Sequence, residues 1–366
     1  MRRKLPTIYA AFCTLCLAAG ILLTFYFAYD AGFDDTIECL CALVASFVFA
    51  PIVHETGHIA MASATNMRVV FVKFFCFKID GRAGKKRFGF ASPFAPDQTQ
   101  AVPRVGGNMR RRAAIYTLGG QIFSGAFLLL ITGVALTTTL LHATRFALWG
   151  LLPYATYLFL LNVLPLEYGG GKTDVLVYRG LKKGYDAEKT MLAAMEIQGC
   201  LSEGKSFTEI DEAFYFDVPQ LSEDEPLFAV MLDLRYRYYL EKGKWEKAAD
   251  ALNRLASAQA YLPDEEVEKL AAELVYMHSV NGDFERAEES GRYCKAFLQG
   301  ESVLAKRALA AYSAAFGQAD LAAALVEQAE AFLEREPMAG IAKAERILLA
   351  RLGIKTRKET NSKEEV

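Results

Sequence analysis

The stretch Ile37–Met67 reads IECLCALVASFVFAPIVHETGHIAMASATNM, and the motif HETGH at positions 54–58 lies inside this apolar run. A helix brings side chains four residues apart onto one face, so His54 and His58 become neighbours with the Glu55 carboxylate beside them. This pattern is typical of helices that bind zinc through two imidazoles and use the glutamate as a general base. Ionisable groups are costly inside an apolar span, so the stretch predicts a functional metal site at membrane depth.

Four apolar runs are long enough to cross a bilayer, whose hydrocarbon core of roughly 30 Å needs about 20 helical residues. We predict spans at about 5–29, 37–62, 113–143 and 146–166, which form an all-α, polytopic membrane domain over residues 1–180. The alternative for the first run is a signal peptide. Its length of 25 uncharged residues favours a retained helix, because signal cores have about 7–15 apolar residues.

The distribution of basic residues predicts the orientation of these spans. The segment between the second and third spans, 63–112, has eleven Lys and Arg residues and two acidic residues. In the segment 30–38, all of the charged residues are acidic. Basic segments stay on the cytoplasmic side of a membrane. We therefore expect a multi-pass protein of a bacterial cytoplasmic membrane with both termini in the cytoplasm.

The basic segment after the second span is rich in β-branched and aromatic residues. Arg68–Ile79 and Arg87–Ser92 are separated by turn residues, which predicts a small β-hairpin at the membrane interface, with Lys73 and Lys78 directed to headgroups or water. An irregular loop anchored by its aromatic side chains is the alternative.

The second half of the chain is rich in Glu, Lys, Ala and Leu, and it predicts a soluble helical domain over residues 185–354. Glycine followed five residues later by alanine recurs at Gly243, Gly282 and Gly317, with spacings of 39 and 35 residues. Such spacing resembles tetratricopeptide (TPR) repeats, in which stacked helix pairs bind partners. A generic helical bundle is the alternative. We expect the charged tail, 355–366, to be disordered.

Charge and cysteine content give no support for two other classes of protein, nucleic-acid-binding proteins and disulfide-bonded scaffolds. The formal net charge of −2 gives no reason to expect nucleic-acid binding. The seven cysteines are scattered, four of them in or beside predicted spans, so we expect packing roles and no disulfide framework.

A catalytic zinc site needs a third protein ligand and an open position for water. Asp174 follows the fourth span and, by the predicted topology, lies at the level of His58 on the cytoplasmic side. Carboxylates are ordinary zinc ligands, which makes Asp174 the leading candidate. Glu167 and Asp186 remain open as alternatives.

The chain resembles the site-2 protease family of intramembrane zinc metalloproteases over about 37–178. The resemblance is carried by HETGH in one span, an extended segment after it, and Asn162-Val-Leu-Pro165 leading to Asp174 two spans later. It implies one Zn²⁺ held by His54, His58 and Asp174, with Glu55 catalytic. It also implies that Asn162 binds the substrate backbone or polarises its carbonyl group.

We therefore expect an intramembrane zinc metalloendopeptidase that cleaves a transmembrane or membrane-bound peptide within the lipid bilayer. The substrate must unwind before it is cleaved, and we expect the segment Arg68–Ile79 to accept it as an added β-strand. A cytoplasmic protein partner is expected on the C-terminal helices. The alternative is a catalytically inert membrane scaffold that recruits cytoplasmic proteins through its helical repeats. Zinc transport is a weaker alternative, because it needs ligands along a path to both faces.

Overall fold

The computed structural model describes residues 5–81, 87–92, 97–104, 106–137, 142–168, 171–257, 264–336 and 338–354. Contacts divide the chain into two units, one reaching from the N-terminus to Glu188 and one from Lys189 to the C-terminus, with 82–85 grouped apart from the first. The first unit is thus slightly longer than the predicted membrane domain, 1–180. The charged tail, 355–366, lies outside the described residues.

Four helices of the first unit are long and apolar enough to cross a membrane. They are α1 (Leu5–Ala31), α2 (Phe33–Ala64), α3 (Met109–Ala135) and α4 (His142–Val163), whose apolar stretch is Arg145–Val163. Large apolar side chains such as Leu15 and Leu22 on α1 are 70% exposed, which suits contact with lipid. The coarse prediction of a mostly helical fold with four candidate membrane spans is confirmed.

The third span differs from its prediction at both ends, 113 and 143. Asn108 accepts a hydrogen bond from the backbone nitrogen of Arg111 and caps α3, so the helix begins earlier at Met109. It ends at Ala135, where the Thr137 hydroxyl donates to the carbonyl oxygen of Val134. Threonine hydroxyls compete for backbone carbonyls in this way, which favours the end of the helix before Thr137.

The predicted β-hairpin is instead part of a four-stranded antiparallel sheet. Its strands are β1 (Met67–Phe74), β2 (Phe77–Asp80), β3 (Arg87–Phe90) and β4 (Gln98–Pro103), in the order β3-β2-β1-β4. The register pairs Val72 with Ile79 on one side and with Thr99 on the other. The first predicted strand therefore spans β1 and β2, and β4 adds an edge strand that the prediction lacked.

Lys73 corrects the expectation that both lysines of this segment face water or headgroups. Its side chain is buried, and its ammonium group lies 3.0 Å from Oδ1 of Asp97, which also accepts a hydrogen bond from the backbone of Phe75. A buried ammonium needs such a partner, and Asp97 immediately before β4 supplies it. Lys78 is exposed as predicted.

The glycine-rich segment after α4 forms a short β-hairpin that leads into another helix. Strands β5 (Glu167–Tyr168) and β6 (Gly171–Lys172) pair, and α5 (Asp174–Lys183) begins two residues later. The Thr173 hydroxyl accepts from Leu176 N and donates to Leu164 O, which fixes the start of α5 against the end of α4. Asp174 is therefore the first residue of a capped helix.

The second unit consists of short helices. They are α6 (Asp186–Ser202, whose first turn belongs to the first unit), a 3₁₀ turn (Phe207–Glu209), α7 (Ala213–Phe216), α8 (Pro226–Lys242), α9 (Trp245–Ser257), α10 (Asp264–Val280), α11 (Phe284–Tyr293), α12 (Lys295–Gln299), α13 (Val303–Ala315), α14 (Ala319–Leu333) and α15 (Ala339–Arg351).

Three helix pairs share one kind of turn, at the glycine positions that the sequence singled out. Gly243, Gly282 and Gly317 have φ values of 74°, 76° and 75°, the left-handed conformation that ends a helix. In the first of them, Lys244 N donates to Tyr239 O across the turn. The alanines five residues after the glycines, 248, 287 and 322, are fully buried. Each glycine of the pattern therefore lies in the turn between two consecutive helices, and each alanine is buried in the second helix of the pair.

A buried ion network joins α10, α13 and α15 in this unit. The Arg307 guanidinium is fully buried, lies 2.9 Å from Oε2 of Glu273 and 2.7 Å from Oε2 of Glu345, and stacks 4.2 Å from the ring centre of Tyr276. The Arg237 guanidinium also lies near Glu273, with Nη1 3.8 Å from Oε1, so removing Arg307 would take the ion pair from Glu345 and leave Glu273 with this longer contact.

Candidate metal centre

Helix α2 places the two histidines of HETGH on one face. His54, Glu55 and His58 are all buried, and the Nε2 atoms of the two imidazoles lie 3.3 Å apart. His54 precedes the end of α2 at Ala64 by ten residues, which is about 15 Å along the helix axis. The pair therefore lies in the last three turns of α2.

Helix α3 orients both imidazole rings through their Nδ1 atoms. Nδ1 of His54 lies 3.1 Å from the Ser124 hydroxyl, and Nδ1 of His58 lies 3.0 Å from the carbonyl oxygen of Tyr116. A carbonyl oxygen accepts only, so His58 must donate from Nδ1 and presents a lone pair at Nε2 when it is neutral. Such contacts fix ring orientation at metal sites.

Glycines allow α2 and α3 to approach closely at the site. A Cβ atom on Gly57 would lie 2.2 Å from the carbonyl oxygen of Gly119, so the helix backbones touch. A Cβ atom on Gly120 would lie 2.5 Å from Nε2 of both His54 and His58. Because glycine has no Cβ atom, position 120 leaves an open space next to the Nε2 atoms of the two histidines.

Asp174 completes the cluster from the start of α5. Its Oδ2 atom lies 3.2 Å from Nε2 of His54 and 3.4 Å from Nε2 of His58. One ligand atom from each of the three residues lies within 4.8 Å of the others. Of the three candidates for a third ligand, the structure brings Asp174 to the histidines, while Glu167 and Asp186 are exposed and outside this cluster.

The donor set fits a metal ion. Asp174 Oδ2 is buried and accepts no hydrogen bond of normal geometry from the described residues, although two imidazole nitrogens face it. Burial raises the pKa of Asp174, but its interactions with the two histidines outweigh burial and lower the pKa to about 2. With neutral imidazoles, three lone pairs converge on one space, an arrangement that a cation or added protons must stabilise. Two imidazoles and a carboxylate suit Zn²⁺.

Glu55 is held by the sheet and does not join the cluster of ligands. Its Oε2 atom accepts a hydrogen bond of 2.5 Å from the Thr99 hydroxyl on β4. Tyr116, whose carbonyl contacts His58, donates its hydroxyl to the carbonyl oxygen of Thr99. The sheet and α3 therefore position the carboxylate and the imidazoles together.

The sheet contradicts one interpretation of the sequence, that Arg68–Ile79 captures substrate as an added strand. The part Phe71–Lys73 of β1 is paired with both β2 and β4, and β2 is paired with both β1 and β3, so most of this segment has no free strand edge. Within the described residues, β4 has a strand on one side only. The available edge next to Glu55 is therefore that of β4.

Asn162 lies on α4, and its side-chain amide donates to the carbonyl oxygen of Leu158 in the same helix, at 3.4 Å. The structure does not bring Asn162 into the cluster of His54, His58 and Asp174. Its role in binding substrate remains a prediction.

Four residues of the site were not predicted from the sequence: Thr99, Tyr116, Gly120 and Ser124. The pair Gly119-Gly120 was a usable signal, because adjacent small residues in a span mark a close helix contact. Ser124 and Tyr116 follow from the same contact, since both lie within four residues of Gly120. Nothing in the local sequence of Thr99 pairs it with Glu55.

Comparison with protein-family models, curated proteins and solved structures finds no match for this chain. The resemblance to site-2 proteases therefore rests on the motif residues and their order along the chain.

Proposed function

We propose that this chain is an intramembrane zinc metalloendopeptidase of the site-2 protease type. The observation that carries the proposal is the convergence of His54, His58 and Asp174, within 4.8 Å, beside a buried Glu55 on an apolar helix. A zinc ion held there would polarise the scissile carbonyl group and lower the pKa of water toward about 7.

Glu55 is the general base in this proposal. Its carboxylate takes one proton from the attacking water as the new C–O bond forms, and returns it to the leaving nitrogen as the C–N bond breaks. Thr99 holds one carboxylate oxygen by a hydrogen bond and leaves the other available to the water. The products are a carboxylate and an amine.

The substrate is a membrane-embedded or membrane-bound polypeptide. Its scissile bond must leave the helical conformation, because helical hydrogen bonds shield the peptide group. Addition as a strand to the edge of β4 would replace those hydrogen bonds and bring the extended segment past Glu55. Asn162 is assigned to the substrate path by the resemblance alone.

The helical unit serves partner binding in this proposal. Its three glycine-turn helix pairs support a TPR-like domain, whose stacked helices present a surface to a cytoplasmic protein. The excess of basic residues between α2 and α3 supports an orientation in which both termini lie in the cytoplasm.

The decisive experiment compares wild type with Glu55→Gln in the native membrane. Glu55→Gln preserves size and zinc ligands but removes the base, so we expect unchanged zinc content and accumulation of an uncleaved membrane protein. Zinc is measured on the purified protein by mass spectrometry, and substrates by membrane proteomics. Identical proteomes and phenotypes for the two forms would support the scaffold alternative, and wild-type protein without stoichiometric zinc would refute the proposal.

A further inference from the structure

Gln121 on α3 is a buried polar side chain without a partner. It is 7% exposed, and neither its amide nitrogen nor its amide oxygen forms a hydrogen bond with the described residues. Burying an unpaired amide is unfavourable, because both of its polar atoms lose water. An apolar residue of similar size would pack at this position without that cost, so the amide points to a ligand.

The position of Gln121 relates it to the metal centre. It follows Gly120, where a Cβ atom would lie 2.5 Å from both imidazole Nε2 atoms. It also precedes Ser124, which contacts His54, by one helical turn. Adjacent Cα atoms are about 3.8 Å apart and differ in direction by about 100° around a helix. Gln121 therefore lies beside the ligand cluster and not in it.

We propose that the Gln121 amide binds the main chain of an extended polypeptide substrate near its scissile bond. A side-chain amide offers donors and an acceptor, which complement the C=O and N–H of one peptide group. Extended chain advances about 3.3 Å per residue, so a peptide group bound by the neighbour of Gly120 belongs to the residues that flank the bond that is cut. The inference rests on the proposed function and names its substrate class as unwound main chain.

The test uses two metal-chelating probes of different length on the purified, zinc-loaded full chain. Acetohydroxamate can chelate zinc but has no peptide, whereas a peptidyl hydroxamate adds two residues of main chain. Gln121→Met keeps the length of the side chain and removes its amide. The matched control is Ile122→Ala, at the adjacent and half-exposed position.

We expect Gln121→Met to bind the peptidyl hydroxamate about 3- to 10-fold more weakly than wild type, the usual effect of one hydrogen bond. Its zinc content and its affinity for acetohydroxamate should not change, and Ile122→Ala should match wild type for both probes. The melting temperature of Gln121→Met without probe should equal or exceed that of wild type, because an unpaired amide is removed. A residue with a structural role would show a lower melting temperature instead.

The outcomes separate this inference from the proposed function. Equal affinity of wild type and Gln121→Met for the peptidyl hydroxamate would overturn the role of Gln121 and leave the protease proposal standing. A lower melting temperature with equal loss of both probes would also overturn it. Failure of wild type to bind zinc or either hydroxamate would refute the proposed function itself.

Discussion

Replacing Gly120 with alanine should abolish zinc binding without unfolding the protein. The added Cβ atom would lie 2.5 Å from Nε2 of both His54 and His58, whereas ordinary van der Waals contact begins near 3.4 Å. Each ring would have to retreat by about 1 Å, and a misplacement of that size is enough to disable a site. The 2.5 Å between this Cβ position and each Nε2 atom is also close to the zinc–nitrogen distance of about 2.0–2.1 Å. The methyl group therefore competes with the ion for the same space.

The rings cannot retreat freely, because their Nδ1 atoms are held at 3.1 Å from the Ser124 hydroxyl and 3.0 Å from the Tyr116 carbonyl oxygen. A shift of about 1 Å would break these contacts, whose loss alone typically weakens metal binding about 10–100-fold. We therefore expect Gly120→Ala to bind zinc at least about 100-fold more weakly than wild type.

The measurement is zinc content and zinc affinity of purified protein in competition with a chelator. Gly133→Ala is the matched control, since it lies on the same helix with nothing within 4 Å of its Cβ position. Circular dichroism and the melting temperature check that Gly120→Ala is folded. Wild-type zinc affinity in folded Gly120→Ala would refute the assignment of this space to a metal ion.

Three further predictions test other parts of the molecule. Asp174→Asn should weaken zinc binding by more than the about 10–100-fold expected for residues that only orient ligands, whereas Asp186→Asn should retain wild-type affinity in the same chelator competition; equal affinities would return the third ligand to the open alternatives. Thr99→Val should leave zinc content unchanged and slow substrate cleavage about 10-fold, because Glu55 loses a hydrogen bond of about 1.4 kcal/mol, and an unchanged rate would contradict its positioning role. Arg307→Ala should lower the free energy of unfolding of the helical unit by about 3–5 kcal/mol in urea titrations, because the buried Glu345 loses its ion pair and Glu273 keeps only its longer contact with Arg237, and a loss below about 1 kcal/mol would contradict the network.

The helical parts of this fold were predictable from sequence because long apolar runs leave few alternatives. Spans α1 and α2 begin and end within four residues of their predicted limits. The repeat of Gly243, Gly282 and Gly317 located three turns correctly, since only a left-handed residue ends these helices in this way. The TPR-like assignment of these pairs stays a prediction.

The sheet was less predictable, because its edge strand has no strand-like sequence. Strand β4 reads QTQAVP, with polar residues and a terminal proline, so its pairing with β1 depends on tertiary contacts. Its omission had two consequences. Lys73 lacked its partner Asp97 and was directed to solvent, and β1 was assigned a free edge that β4 occupies.

The metal centre was predictable as a set of ligands but not as a geometry. HETGH on a helix brings two imidazoles together by its spacing alone. The position of Asp174 depends on two features that no local sequence pattern describes. These are the cap that Thr173 forms on α5 and the hairpin Glu167–Lys172 between α4 and α5. This hairpin accommodates the eleven residues between Asn162 and Asp174, so the long interval still brings the carboxylate to the histidines.

The polar groups inside this bundle have a pattern that packing alone does not explain. Helices that only pack in lipid gain most from small and apolar contacts, and the Gly57–Gly119 crossing supplies these. Beside that crossing lie the two histidines, Glu55, and Gln121, whose amide has no partner among the described residues. Each of these groups is costly to bury in an inert scaffold, and in the proposed function each of them acts on the metal ion or on the peptide. Function at this level of the bundle accounts for all of them together, whereas a scaffold role needs a separate reason for each.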